Sequence, residues 1–397
     1  MALYQRVSTG MNGLDEILNY LQMGDNVVLQ VDTIEDYKKF VDPYVKNALY
    51  QNRRLVYMRF ANHPPLVEPN KKIKVYKLNA NKGFESFSTQ VHNIVRDEGL
   101  DVFYVFDCLS DLLNAWATDL MIGNFFVITC PYLFELNTLA YFALLRSRHS
   151  FKTIARIRET TQVLLDVYNN QGKICVHPLK AWKRYTPTMF LPHIMEGDKF
   201  VPILNSADAT SILSYLTDKN ATSSERNLDY WDRIFLKAGD ILNDPVAAKE
   251  NQDMVETLSR VMIGREKRML SLVKEYFTLE DLVEIKKRLI GTGFIGGKSV
   301  GMLLARNILL KDTSFDWAGQ MELHDSFFIG SDVFYSYMVQ NGWWKLLMNQ
   351  KTEEGYFEVA KELRSKMLHG VFRAIPDHCA LQQSSGRRFR QRVCRKV

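Results

Sequence analysis

Apolar residues recur through the first half of the chain in short dense runs, at 27–31, 55–60, 73–78, 102–106, 125–130 and 163–167. The runs are rich in Val, Ile, Phe and Tyr, the composition of strands buried on both faces. Amphipathic stretches at 35–51, 84–98 and 134–145 alternate with several of them and predict helices. Strand–helix alternation of this kind predicts an α/β fold over 1–205, with a doubly wound, mostly parallel sheet and helices on both faces.

The pattern then changes. Ser223 and Ser224 precede Glu225 in a helix-start arrangement. Stretches 228–243, 247–276 and 279–290 are charged and periodic, with no strand signal. They predict a helical connector over 206–290, its charges forming a solvated face. A third pattern begins at Gly291 with GTGFIGGKSVGMLLARNILLKD, a glycine-rich turn opening directly into a helix. A strand candidate at 326–330 and helix candidates at 332–348 and 353–369 follow, within a segment taken as 291–372. Residues 373–397 form a basic tail.

Composition narrows the classes. With 397 residues, 46% hydrophobic and 24% charged, the chain is ordinary globular protein of two or three domains. Its five cysteines include no CxxC pair, so neither a disulfide framework nor a thiolate zinc site is expected, and a reduced, cytoplasmic setting is. The opening MALYQRVSTGMNGLDEIL lacks a signal-peptide core. The most apolar run, 124–134, is interrupted by Pro131 and is far short of the ~20 residues that span a bilayer, so no membrane partner is expected.

Net charge is +6, which invites a nucleic-acid reading. The last twelve residues, GRRFRQRVCRKV, carry six bases and no acid, and 51 less 6 leaves 45 basic residues against 45 acidic. The body therefore has no basic bias. Nucleic acid is not the expected partner, and with Phe389 as its one aromatic the tail offers no stacking platform.

Two places could meet phosphate. The stretch STGMNGLDEILNYLQMGDNVVLQVD resembles the start of a KaiC-type RecA-like ATPase domain, where such a strand leads into a glycine-rich phosphate loop. Here the strand is followed by DTIEDYKKF, with no glycine between Asp32 and Phe40. Without glycines, successive N–H groups cannot turn inward onto phosphate, and Asp32, Glu35 and Asp36 repel it. VFYVFDCLSDLL resembles the Walker B strand of that family and ends in Asp107, a carboxylate that ordinarily helps hold Mg²⁺. The residues by themselves favour Asp107 as a strand-end cap of the next helix. Arg146, Arg148, His149, Arg156, His177, Lys180, Arg184 and His193 suggest either an anionic-ligand surface or, the preferred reading, scattered surface and core positions. A RecA-like scaffold that has lost ATP hydrolysis is expected, with assembly or regulation, including homo-oligomer formation, as its residual use.

The second place is 291–298. It is not a Walker A motif, because the position six residues before Lys298 is Thr292 rather than glycine. GGKSVGMLLARNI instead resembles the segment that opens the ATP-grasp nucleotide-binding domain of the phosphoenolpyruvate synthase and pyruvate, phosphate dikinase family. Gly296 and Gly297 let the backbone approach phosphate, N–H groups from about Ser299 favour an anion, and Lys298 adds a mobile cation. Gly301 keeps the first helical turn slim. HDSFFIGSDVFYSYMVQNG is similar in character to the block that follows in that family. The resemblance implies ATP with Mg²⁺ as cofactors, a binding set of Gly296, Gly297, Lys298 and Ser299, and a phosphotransferase (kinase) role in intact relatives, which phosphorylate a catalytic His and pass the group to pyruvate.

The family next carries a segment of the form IIVRSSSLL…FGNAFAGK, whose Arg contacts nucleotide phosphates. The chain reads PDHCALQQSSGRRFRQRVCRK instead. Codons for these residues, read one base on from Pro376, permit LIIVRSSSLLDAGFGNAFAGK. The expectation is therefore an out-of-frame tail on the incomplete beginning of an ATP-grasp domain, with weak ATP binding and no pyruvate phosphorylation. The alternative is a non-catalytic RecA-like regulatory or assembly module.

Overall fold

The structure is a computed structural model that describes residues 5–116, 118–170, 172–206, 210, 228–243, 248–322, 326–350 and 352–379. The helix start expected at Ser223, Ser224 and Glu225 and the tail from 380 lie outside these residues. The fold is mixed α/β. The chain divides into two compact units, Met1–Tyr337 and Met338–Val397.

In the first unit, β1 (Arg6–Val7), α1 (Asn12–Leu18) and β2 (Leu21–Gln22) precede β3 (Asn26–Val31). There follow α2 (Ile34–Tyr50), β4 (Leu55–Arg59), β5 (Ile73–Lys77), α3 (Phe84–Glu98), β6 (Phe103–Cys108), α4 (Leu113–Trp116), α5 (Asp119–Glu135), β7 (Leu139–Leu145) and α6 (Phe151–Thr160). The series closes with β8 (Val163–Asn170), β9 (Lys173–Ala181), β10 (His193–Glu196) and β11 (Lys199–Pro202). Among the described residues β1 and β2 pair with each other, and β3 to β11 build a nine-stranded sheet ordered β11-β10-β9-β8-β3-β7-β6-β4-β5. From β8 to β5 every pairing is parallel, and β9, β10 and β11 add antiparallel at one side.

Alternation along the strands sorts the core into two layers. Tyr57, Phe103, Val105 and Tyr141 face α2, whose Tyr37, Phe40, Val41 and Tyr44 fill the same core. There the Tyr44 and Tyr141 rings stack at 4.1 Å, and the Tyr44 hydroxyl donates to the Leu139 carbonyl at 3.0 Å. Phe106 and Phe142 point the other way, onto Phe125 and Phe126 of α5.

One expectation inverts here. The run at 125–130 is helix rather than strand, and 134–145 contains the central strand β7 rather than a helix. The Thr118 hydroxyl caps α5 by accepting from the Leu120 N–H. The helix lies between the sheet and its neighbours α3 and α6, so it is apolar nearly all round. A fully buried helix and a fully buried strand share one pattern. Asn137, at φ 53°, ends the helix in a left-handed turn that feeds β7.

Beyond the sheet come α7 (Tyr230–Asn243), α8 (Ala248–Met262), α9 (Lys267–Tyr276) and α10 (Leu279–Lys287). The single helix expected over 247–276 is thus two, parted at Gly264. Thr278 and Asp281 form a reciprocal capping box at the start of α10. Next is β12 (Leu289–Ile290), where the sequence shows no strand signal; two residues after a helix are too few to make one. Then come α11 (Gly297–Lys311), α12 (Trp317–Gln320), β13 (Phe328–Ile329) and α13 (Ser331–Gln340). β12 pairs parallel with β13. Trp231, Leu258, Leu282, Ile295, Val300 and Phe328 belong to one hydrophobic core, so the helical segment and the glycine-rich turn pack as one body.

In the second unit, α14 (Trp343–Met348) and α15 (Glu353–Cys379) bury Trp344 and Leu363. The helix expected over 332–348 is broken at Gly342, whose φ of 68° caps α14 in the left-handed region. Among the described residues, no helix is long and apolar enough to cross a membrane.

Candidate functional site

In an open parallel sheet, ligands bind beyond the carboxyl ends of the strands where the connections change face. Here α2, which follows β3, covers one face, and α5, which follows β6, covers the other. The chemistry at that edge is closed. After β3 the chain turns into α2 within two residues, Asp32 and Thr33, and the Thr33 hydroxyl caps the helix by accepting from the Asp36 N–H at 3.3 Å.

The space beside this turn is filled by Arg146. Its Nε donates to Asp32 Oδ1 at 2.7 Å, its Nη1 lies 2.6 Å from Asp166 Oδ1, and its Nη2 donates to the Val167 carbonyl at 2.7 Å. The guanidinium lies over the Tyr168 ring at 4.4 Å. Burial works against the charge on Arg146, but the Asp166 and Asp32 carboxylates raise its pKa overall. Asp32 also accepts from the Asn169 N–H at 3.1 Å, and Asn169 Nδ2 donates to Asp36 at 2.8 Å. Where a phosphate loop would present donors, the chain has a self-paired cation and its two acids.

Asp107 does not cap the helix that follows it; the next turn has no side-chain cap. The carboxylate turns back toward β4 and is fully buried. Oδ2 accepts from Arg59 Nη1 at 2.5 Å and from the Phe60 and Ala61 N–H groups, each at 2.8 Å. Oδ1 accepts from the Tyr57 hydroxyl, whose pKa is raised by burial and then by Asp107 itself. Beside it, His63 Nε2 accepts from the Cys108 N–H at 3.2 Å while Nδ1 lies 2.7 Å from the Pro64 carbonyl, which fits the ring with its proton on Nδ1. Both oxygens of Asp107 are therefore committed to fixing the end of β4.

The helical segment covers the same edge. Residues in the connections that follow β5, β6 and β7 hold it: the Asn81 carbonyl accepts from Arg265 at 2.6 Å, the Thr118 hydroxyl at the start of α5 donates to Asp229 at 3.0 Å, and the Ser147 carbonyl accepts from Arg233. The other basic residues do not converge. Arg184 is paired with Asp25 in the core, His149 with Ser110, and Lys180 with carbonyls at the end of α6. Among the described residues no group of three His, Cys, Asp or Glu could hold a metal ion.

The glycine-rich turn is built differently. Its glycines divide by what a side chain would meet. A Cβ at Gly291 would lie 2.5 Å from Asp332 Oδ1, one at Gly293 2.6 Å from Ser331 Oγ, and one at Gly330 2.2 Å from the Thr292 carbonyl. These three permit a tight clasp, in which the Thr292 N–H donates to Asp332 Oδ1 at 2.7 Å and the Phe294 N–H to Ser331 Oγ at 3.1 Å. At Gly296, Gly297 and Gly301 a Cβ would meet nothing within 4 Å. Gly296 is the N-cap of α11 at φ 82°, with no side-chain cap. The N–H groups of Gly297, Lys298 and Ser299 thus open the helix without an intrahelical acceptor. Lys298 is exposed and makes no ion pair among the described residues, and Ser299 is half-buried. The four residues expected from the sequence stand together at one helix start. The clasp residues Ser331 and Asp332, some forty positions away, carry no local signal.

No model of a known protein family matches the chain, and a search of curated proteins finds no significant match.

Proposed function

We propose that Gly296, Gly297, Lys298 and Ser299 bind the phosphates of ATP, as the opening contact of an ATP-grasp domain of the phosphoenolpyruvate synthase type. The nine-stranded sheet, read as a RecA-like domain, serves as a non-hydrolysing scaffold. The observation that carries this is the contrast between two edges: self-paired acids and arginine beyond β3, against an uncapped 15-residue helix with open glycines and an exposed lysine at α11.

The turn fits a phosphate. Its free N–H groups and the positive end of the helix favour an anion, and the absent Cβ atoms leave the backbone approachable. It offers little to Mg²⁺: the nearby carboxylate, Asp332, is buried, and its Oδ1 is taken by the Thr292 N–H. The metal would arrive coordinated by the nucleotide, where it supplies charge neutralisation of the phosphates. Binding is what these residues perform. They hold the anion and orient it along the helix axis; phosphoryl transfer needs an in-line acceptor and further cations. Titration calorimetry with MgATP is expected to give saturable binding without turnover, weakened at least about tenfold by Lys298→Ala. Unchanged binding in that variant would overturn the assignment.

The second reading, a regulatory or assembly module without nucleotide binding, is favoured by the complete pairing of Asp107 and Arg146. Self-association in sedimentation velocity together with no heat of MgATP binding would select it.

A further inference from the structure

The sheet and the glycine-rich turn are joined by more than shared burial. Helix α13 begins at the clasp and ends its second turn against the sheet's covering helices. Ser331 and Tyr335 are four residues apart, as are Asp332 and Ser336, and residues so spaced lie one above the other on a helix. At the lower level Ser331 and Asp332 hold the Phe294 and Thr292 amides. One turn, about 6 Å, further on, Ser336 Oγ accepts from Asn124 Nδ2 of α5 at 3.0 Å, and the Tyr335 ring lies 5.1 Å from Phe84 of α3. The Tyr335 hydroxyl also bonds Glu85.

A second strut runs beside the first. Arg265 donates to the Asn81 carbonyl at 2.6 Å, just before α3, and its guanidinium lies 5.1 Å from the centre of the Phe294 ring, inside the turn. Behind Phe84 the support is aromatic: Phe84 and Phe87 pack edge-on to Trp116, and Phe60, next to the Asp107 clamp, packs edge-on to Phe87.

We infer that the sheet domain positions the glycine-rich turn, with Tyr335, Ser336 and Arg265 as positioning residues that fix the turn through α13 and Phe294. The edge that other parallel sheets give to a ligand here holds the frame of a site built elsewhere in the chain. The positioning itself is a property of the fold; only its use in holding nucleotide rests on the function proposed above.

Hydrogen–deuterium exchange on the full chain, followed at single amides, tests it. Tyr335→Ala and Ser336→Ala are each expected to speed exchange at Thr292 and Phe294 about tenfold or more, and to leave the Val28 and Val105 amides of the central sheet unchanged. Tyr335→Phe keeps the ring on Phe84 and is expected to restore most of the protection. Equal acceleration at all four amides would mean general destabilisation and would overturn the inference, as would no change at Thr292 and Phe294. Calorimetry with MgATP on the same variants separates the two readings. Selective exchange in a protein that binds no nucleotide keeps the positioning role and removes the nucleotide.

Discussion

Arg184 is almost wholly buried, and its Nη2 donates to both oxygens of Asp25, at 2.8 and 2.7 Å. Its Nη1 holds the Tyr20 carbonyl at 2.7 Å, where Tyr20 is strained at φ 65°. Burial pushes the Asp25 carboxyl above its ordinary pKa even with Arg184 beside it. Removing the cation would strand that charge, so Arg184→Ala is expected to cost about 3–5 kcal/mol in urea unfolding. A cost under ~1 kcal/mol would mean the pair does not hold the β2–β3 corner. Asp229, where α7 meets the sheet, makes a pH-dependent contact. Burial, with the Asp119 and Asp232 carboxylates nearby, raises its pKa from 3.8 to about 6, against the Asp232 N–H and the Thr118 hydroxyl. The folded state therefore prefers the protonated acid. Its contribution is complete below pH 3.8 and is lost as pH rises through about 6. His149 has the opposite sign: burial, with Arg233 and Arg148, pushes it down from 6.5 to about 3, so its contribution is present above 6.5 and falls away in acid. Asp229→Asn is expected to raise the melting temperature by a few degrees at pH 7.5 and to change little at pH 4, as differential scanning calorimetry would record.

Among the elements, α11 allows a paired test. Gly296 sits at φ 82°, where a side chain is strained, whereas Gly301 lies inside the helix facing open space. Gly296→Ala is expected to lower stability by about 1 kcal/mol and Gly301→Ala to raise it by up to about 1 kcal/mol. The same sign for both in denaturant unfolding would refute the split between cap and interior. The sequence made several elements legible because their pattern was unambiguous. The helix 84–98 matches α3, whose apolar stripe of Phe84, Phe87, Val91 and Val95 is buried. The strands β3, β4 and β5 stand where the Val-rich and Tyr-rich runs put them. α5 and β7 exchanged places because burial on every side erases the period that separates them. The site was half legible. The GGKS string declares a glycine-rich helix start on its own, but Asp332 and Ser331 act on it from a segment that only the fold brings near. Asp107 had the residue type of a cap, and its carboxylate instead answers to Tyr57 and Arg59, two strand neighbours invisible in the linear order.

In the first compact unit, the carboxyl edge of the parallel sheet is closed in two ways. Arg146 is paired with both Asp32 and Asp166 within it, and Asp229, Arg233 and Arg265 bond to residues along it. At the start of α11, by contrast, Lys298 is exposed and makes no ion pair among the described residues. Photo-crosslinking of the intact protein with an azido-adenine analogue of MgATP, followed by peptide mapping, locates the nucleotide directly. Label is expected on peptides around the start of α11 and its clasp, competed away by ATP. Label on peptides carrying Asp32 or Asp107, or no competable label at all, would contradict it.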